Sequence, residues 1–195
     1  MDSIRIESRK DLRMFIQSDK RSLGIDGFGR LKSLLNPICT FQIRLRKLEY
    51  SLNCQRSRGV ILLRKFLFRR ISVRLGFSIS PNTFGPGLSI AHYGSIIVNG
   101  GARIGANCRI HVGVNIGTEA GKSLTAPRIG DNCYIGPGAK VFGDIIIGPN
   151  TVIGSNAVVN QSFVEGGITI AGVPARVVSE KSSNGLLIRG FSQKT

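Results

Sequence analysis

Ten positions of this chain, 98, 104, 110 and 116, then 129, 135, 141, 147, 153 and 159, carry only Val or Ile. Glycine follows directly at six of them, as Gly105, Gly117, Gly130, Gly136, Gly148 and Gly154. Small residues recur four positions on, as Ala102, Cys108, Val114, Cys133, Ala139, Thr151 and Ala157. A period of six matches neither the 3.6 of an α-helix nor the alternation of a half-buried strand. It describes a chain that turns a corner every six residues, so that three hexads close one triangular coil. The aliphatic residue points into the prism, the small residue packs near the corner, and glycine tolerates the corner's backbone angle and close approach. Successive coils then stack through parallel ladders about 4.8 Å apart, and stability accumulates along the stack. The 25 glycines serve corners. They follow no Gly-X-Y period, which excludes collagen.

The repeat occupies the second part of the chain, and the charge sits in the first. Residues 1–76 hold 18 Lys and Arg against 6 Asp and Glu, whereas residues 77–195 hold 9 against 5. This predicts a basic N-terminal module over 1–76, a β domain over 77–178 and a tail over 179–195. The module reads as helical. Asp11–Leu23 is a polar helix candidate. Asn36 and Pro37 supply a cap and a first-turn proline for a helix running to about Asn53, with Ile38, Phe41, Leu45 and Leu48 on one stripe. After Gly59, Val60, Leu63, Leu67, Ile71 and Leu75 share a helical face surrounded by Arg64, Lys65, Arg69, Arg70 and Arg74. Such a helix over 58–76 suits packing against its neighbours, or an anionic membrane surface. Nucleic acid is the weakest partner, because Phe66 and Phe68 sit among leucines like core residues, not stacking platforms.

Cysteine chemistry is muted. Cys39, Cys54, Cys108 and Cys133 form no CxxC pair, and the chain has only two histidines, so no zinc site is expected. Cys108 and Cys133 occupy inward positions, where a reduced thiol acts as a small hydrophobe. Together with a charged start that does not resemble a signal peptide, this points to a reducing cytoplasm.

One break interrupts the period. Ile116 and Ile129 stand 13 positions apart, and TEAGKSLTAP (118–127) matches no hexad. A loop that leaves the prism without being needed for folding is a functional candidate. Nearby stretches carry a resemblance: IAHYGSIIVNGGARIG, GVNIGT, IGPGAKVFGDIIIG and IAGVPARVV. These look like hexapeptide-repeat acyltransferases of the serine acetyltransferase branch, and particularly like short members associated with polysaccharide and capsule synthesis. The resemblance covers about residues 78–176. It implies a mainly β fold, a left-handed parallel β-helix preceded by a small α-helical module, assembled as a homotrimer and using acetyl-CoA as acyl donor without a metal. Some proteins with this repeat are carbonic anhydrases, but those need three zinc-binding histidines per site.

The family places its catalytic histidine at the position of His92. An imidazole there is suited to take the proton of a hydroxyl as it attacks a thioester carbonyl. His111, about one coil on, is a second candidate, suited to orient the acceptor or to stabilise the developing oxyanion, with an ordinary surface histidine as the alternative. For acetyl-CoA, Gly117 and Thr118 at the loop mouth, and Pro137 and Ser155 one coil apart, match family contact positions. Lys122, Lys140 and Arg176 are candidates for the cofactor's phosphates.

The departures from the family bear on the acceptor. Where serine acetyltransferases carry aspartates, this chain has Ser78 and Ala91, and Thr125 and Ala126 stand before Pro127 in place of an Arg-His pair. The family's N-terminal helical region is also about twice as long. The groups that would hold a charged amino acid are missing together, so a sugar hydroxyl of a glycan precursor is the expected acceptor. True serine acetylation in cysteine synthesis and a non-catalytic trimeric scaffold are the alternatives.

Overall fold

The computed structural model describes residues 4–27, 29, 33, 35–121 and 125–192. Three helices precede the strands among these residues: α1 (Arg9–Ser22), α2 (Pro37–Asn53) and α3 (Arg58–Leu75). Helix α1 starts two residues before the predicted Asp11. The hydroxyl of Ser8 accepts from the Asp11 amide at 3.1 Å, while the Asp11 carboxylate reaches back to the Glu7 amide. Helix α2 has the expected cap, with Asn36 Oδ1 accepting from the Cys39 amide at 3.0 Å. Helix α3 ends at Gly76, whose φ of 77° lets the chain reverse into the first strand.

Fourteen short strands follow: β1 (Phe77–Ile79), β2 (Ser89–Ile90), β3 (Ile96–Val98), β4 (Arg103–Ile104), β5 (Arg109–Ile110), β6 (Asn115–Gly117), β7 (Arg128–Ile129), β8 (Tyr134–Ile135), β9 (Lys140–Phe142), β10 (Ile146–Ile147), β11 (Val152–Ile153), β12 (Val158–Val159), β13 (Thr169–Gly172) and β14 (Ala175–Ser179). They form three sheets: β1-β3-β6-β9-β12, β4-β7-β10, and β2-β5-β8-β11-β13-β14. The chain visits the sheets in rotation. Every pairing is parallel except the closing β13–β14 hairpin. This is the three-sided prism the hexads imply, and all ten periodic aliphatics are buried inside it.

Glycine and asparagine divide the corner work differently from the sequence expectation. A Cβ at Gly130, Gly136 or Gly148 would come within 2.3–2.8 Å of the next coil's backbone, so these glycines permit close stacking. The left-handed backbone falls two residues later, on Asn107, Asn132, Asn150 and Asn156, with φ of 55–58°. Three of these asparagines form a ladder along one edge. Asn107 donates to Asn132 at 3.1 Å, and Asn132 donates to Asn150 at 3.1 Å.

The helices close one end of the prism. Phe41 and Leu45 of α2, with Ile71 and Leu75 of α3, share a single apolar core with the coils. Arg46, fully buried, donates to Asp19 at 2.8 Å, to Glu49 at 3.0 Å and to the Phe84 and Gly85 carbonyls. Asp19 also accepts from the Gly87 and Leu88 amides, each at 2.9 Å. Burial pushes the Asp19 and Glu49 carboxyls upward, and Arg46 between them pulls back. The four N–H groups aimed at Asp19 favour its ionised form. The α3 stripe is only partly core: Ile71 and Leu75 are buried, but Leu63 is 58% exposed. Phe66 also departs from its core assignment, at 57% exposed, whereas Phe68 packs on Phe41.

The C-terminal residues return along the asparagine edge. The Ser183 amide bonds to the Asn150 carbonyl and its hydroxyl to that of Asn132. The Phe191 amide reaches Asn107 at 2.8 Å, and the Gly190 amide reaches Ser22 of α1 at 3.0 Å. Residues 183–191 of the predicted tail therefore form a strap.

Candidate functional site

The edge between the third and first sheets is built differently. Here Ile90 pairs with Ile110, and Val98 with Ile116. Eight steps of one coil thus lie over six of the next, and the surplus bulges out between Ala91 and Ser95. Gly94, at φ 130°, sits in that bulge against Val112. His92 stands on the bulge, exposed. Among the described residues no carboxylate pairs with its ring.

His111 lies one coil on, at the residue after inward Ile110. It is no surface histidine: only 7% of it is exposed. Its Nδ1 donates to the Ile135 carbonyl at 2.9 Å, which leaves Nε2 to accept from the Tyr134 hydroxyl at 3.3 Å. Burial lowers its pKa first; the charge of Arg109 and the nearby His92 lower it further, against the Ile135 hydrogen bond. The ring is therefore biased toward its neutral form, and the Ile135 carbonyl fixes which nitrogen carries the proton.

Further residues fall on the same edge. Pro137 and Ser155 occupy equivalent corners of the next two coils, the Asn156 amide donating to the Pro137 carbonyl at 2.8 Å. Arg176 is exposed on the closing hairpin, opposite Ala171, which continues the line beyond Gly154. Lys140 joins from the neighbouring sheet, donating to the Gly113 carbonyl. His92, His111, Pro137, Ser155 and Arg176 thus descend one edge, coil by coil. Gly117 and Thr118 do not. Gly117 ends β6 at the far edge of the first sheet, where the loop leaves. Lys122 lies outside the described residues. Since β6 and β7 occupy successive faces, the break is one lengthened hexad step, not two hexads.

Sequence reasoning missed Arg109, Tyr134 and Ser89. They stack in register on the outer face of the third sheet, Arg109 Nη1 lying 3.3 Å from the Ser89 hydroxyl. The signal was available: each precedes an inward aliphatic by one residue. Cys108 and Cys133 are buried as expected, and burial pushes the Cys108 thiol up. Among the described residues no three His, Cys, Asp or Glu side chains converge as a metal site.

Residues 126–161 match the family described as bacterial transferase hexapeptide (six repeats). A serine acetyltransferase of Synechococcus elongatus is 36% identical over 105 residues, covering 53% of this chain and 43% of its own. The chain spans less than half the length of the curated relatives it matches. Among solved structures, soybean serine acetyltransferase is 30% identical with a TM-score of 0.69, over 87% of this chain and 69% of that one. The coenzyme A complex of serine acetyltransferase from Brucella abortus is 27% identical with a TM-score of 0.65, over 88% and 67%. These likenesses imply that the coils wind left-handed.

Proposed function

We propose a function from the premise that this chain belongs to the hexapeptide-repeat transferases and is a homologue of serine acetyltransferases: it is an acetyl-CoA-dependent O-acetyltransferase. The observation that carries this reading is the edge on which an exposed His92 heads a line of Pro137, Ser155 and Arg176.

In this mechanism His92 takes the acceptor's hydroxyl proton as that oxygen attacks the thioester carbonyl. The new C–O bond forms, the C–S bond breaks, and the proton passes from the imidazole to the departing CoA sulfur. No acyl-enzyme is needed, and the inward thiols of Cys108 and Cys133 offer no nucleophile. His111, whose nitrogens are engaged by the Ile135 carbonyl and the Tyr134 hydroxyl, would orient the acceptor only by releasing Tyr134. The pantetheine arm follows the backbone below, with Pro137 contributing packing and its carbonyl, having no N–H. Lys140 and Arg176 serve the cofactor's phosphates. Gly117 and Thr118 belong to the same site if a neighbouring subunit of a homotrimer presents its own loop edge, and light scattering should accordingly give three chains per particle.

The acceptor we favour is a sugar hydroxyl in polysaccharide biosynthesis, in a reducing cytoplasm and with the basic helices near the inner membrane face. Ala91 supplies no carboxylate to help bind an amino acid, Ser78 none to support the imidazole of His92, and Arg109 adds positive charge beside His111. The named relatives favour a second reading, acetylation of free serine. Release of CoA thiol with a panel of nucleotide-linked sugars, free hexoses and L-serine separates the two. Turnover of sugars well above serine is expected, and robust turnover of serine overturns the preference. Absence of both coenzyme A binding and turnover leaves a scaffold.

A further inference from the structure

Helix α3 carries two apolar faces, and only the inner one is used. Ile71, Leu75 and Phe68 turn toward α2 and the first coil. On the outer side, Leu62, Phe66 and Val73 fall along one line, at spacings of four and then seven residues, with Leu63 beside them. These four side chains are 65%, 57%, 73% and 58% exposed, respectively. Arg69 stands on the line between Phe66 and Val73, Arg58, Lys65, Arg70 and Arg74 are exposed beside it, and α3 contains no Asp or Glu. An apolar line within a cationic rim is the pattern of a helix lying in the plane of a lipid interface. Among the described residues no helix is long and apolar enough to cross a membrane.

Beside the line, a groove of about 620 Å³ runs between α2 and α3, with Arg44, Arg70 and Arg74 on its walls. Guanidinium groups around an open groove suit phosphate. Other occupants fit less well. A second copy of α3 on this face would bring cations against cations with no carboxylate between them. A nucleic acid would find aliphatic side chains and a single phenyl ring, already covered by Arg70 at 5.7 Å.

We propose that the outer face of α3 docks the protein on an anionic phospholipid bilayer, with Leu62, Phe66 and Val73 entering the interface and the arginine-lined groove receiving headgroup phosphates. The claim does not depend on acetyl transfer, and its test reads binding alone. The chain has no tryptophan, so Phe66→Trp in the full chain makes a single emitter on this face. Phosphatidylglycerol-containing vesicles should shift its emission to the blue and carry the protein into the pellet, while pure phosphatidylcholine should do neither. Arg69→Gln with Arg70→Gln should weaken vesicle binding about 30-fold, roughly fivefold per charge. Leu62→Gln with Phe66→Gln should weaken it more than about tenfold while leaving the melting temperature unchanged, since both side chains are exposed.

Three outcomes overturn the proposal. Emission that is already blue and ignores vesicles marks a face covered by another copy. Vesicle binding untouched by the glutamine pair in the apolar line marks charge attraction without insertion. Binding to RNA with none to anionic vesicles marks the wrong class of partner.

Discussion

Two edges of the same prism obey opposite rules. The edge between the second and third sheets places asparagine at its left-handed corner, ties each coil to the next through side-chain amides, and is covered by the returning C-terminal strap. The edge between the third and first sheets has a bulge, a proline, a serine and two histidines in the corresponding turns; among the described residues it keeps a left-handed asparagine only at Asn156 and carries no strap. A repeat fold makes every edge equivalent in backbone, so side chains alone decide which edge holds the stack together and which meets a ligand. The comparison predicts a division of effects: substitutions on the open edge change rate and leave stability, and substitutions on the laddered edge do the reverse.

The largest effect should come from His92. His92→Ala should lower kcat/KM by a factor of about 10²–10⁴, the usual contribution of a positioned general base. Because the side chain is exposed on a bulge, the melting temperature should stay within a degree or two of the parent (roughly the scale of a neutral surface change). Unchanged acetyl transfer would remove the open edge from the chemistry. A large fall in melting temperature would show that the two edges do not divide the labour.

The second test works on the laddered edge. Asn132→Ala removes two side-chain hydrogen bonds and replaces a residue that tolerates φ 56° with one that adopts it less readily. Together these should cost about 2–3 kcal/mol. Asn132→Gly restores the backbone freedom and keeps only the hydrogen-bond loss, about 1 kcal/mol. Chemical denaturation reads both, and turnover by the two variants at low temperature should match the parent. Equal losses for Ala and Gly would mean that the ladder, not the corner angle, carries the cost.

The division of labour was only half legible in the sequence. The inward positions were readable because burial selects a residue class, and ten Val or Ile at one phase leave no other arrangement. The helices of the first part were readable from caps such as Asn36. His92 was found through resemblance, since an exposed histidine on a bulge has no periodic signature of its own. The asparagine ladder has no signature in the hexad pattern, because a left-handed corner accepts glycine or asparagine alike. The burial of His111 and the strap contacts were beyond reach for a different reason. Each depends on partners distant in the chain, Ile135 and Tyr134 for the ring, Asn107 and Ser22 for the strap, and local pattern carries no record of them. The apolar outer face of α3 was obscured because both faces of that helix carry leucines.

The smallest expected effect sits where the two rules meet, at a residue of the open edge that is nevertheless buried. His111 has its pKa lowered from the ordinary 6.5 by burial, then by Arg109 and His92. For a group depressed in the folded state, the unfolded chain binds the proton first. The stability contributed by neutral His111 is therefore fully present above about pH 6.5 and is lost as pH falls through the lower folded value. Denaturation midpoints taken from about pH 8 down to about pH 5 should decline through that window. His111→Gln should flatten the decline, because glutamine can still donate to the Ile135 carbonyl but does not titrate. Tyr134→Phe should change it little, since a weak 3.3 Å donor is lost while the burial remains. If His111→Gln leaves the slope intact, the acid sensitivity belongs elsewhere and the ring is more open to water than its surroundings indicate. In that case both histidines of this edge would be solvent-facing, and the distinction between a base and a positioning residue would have to be drawn from rates alone.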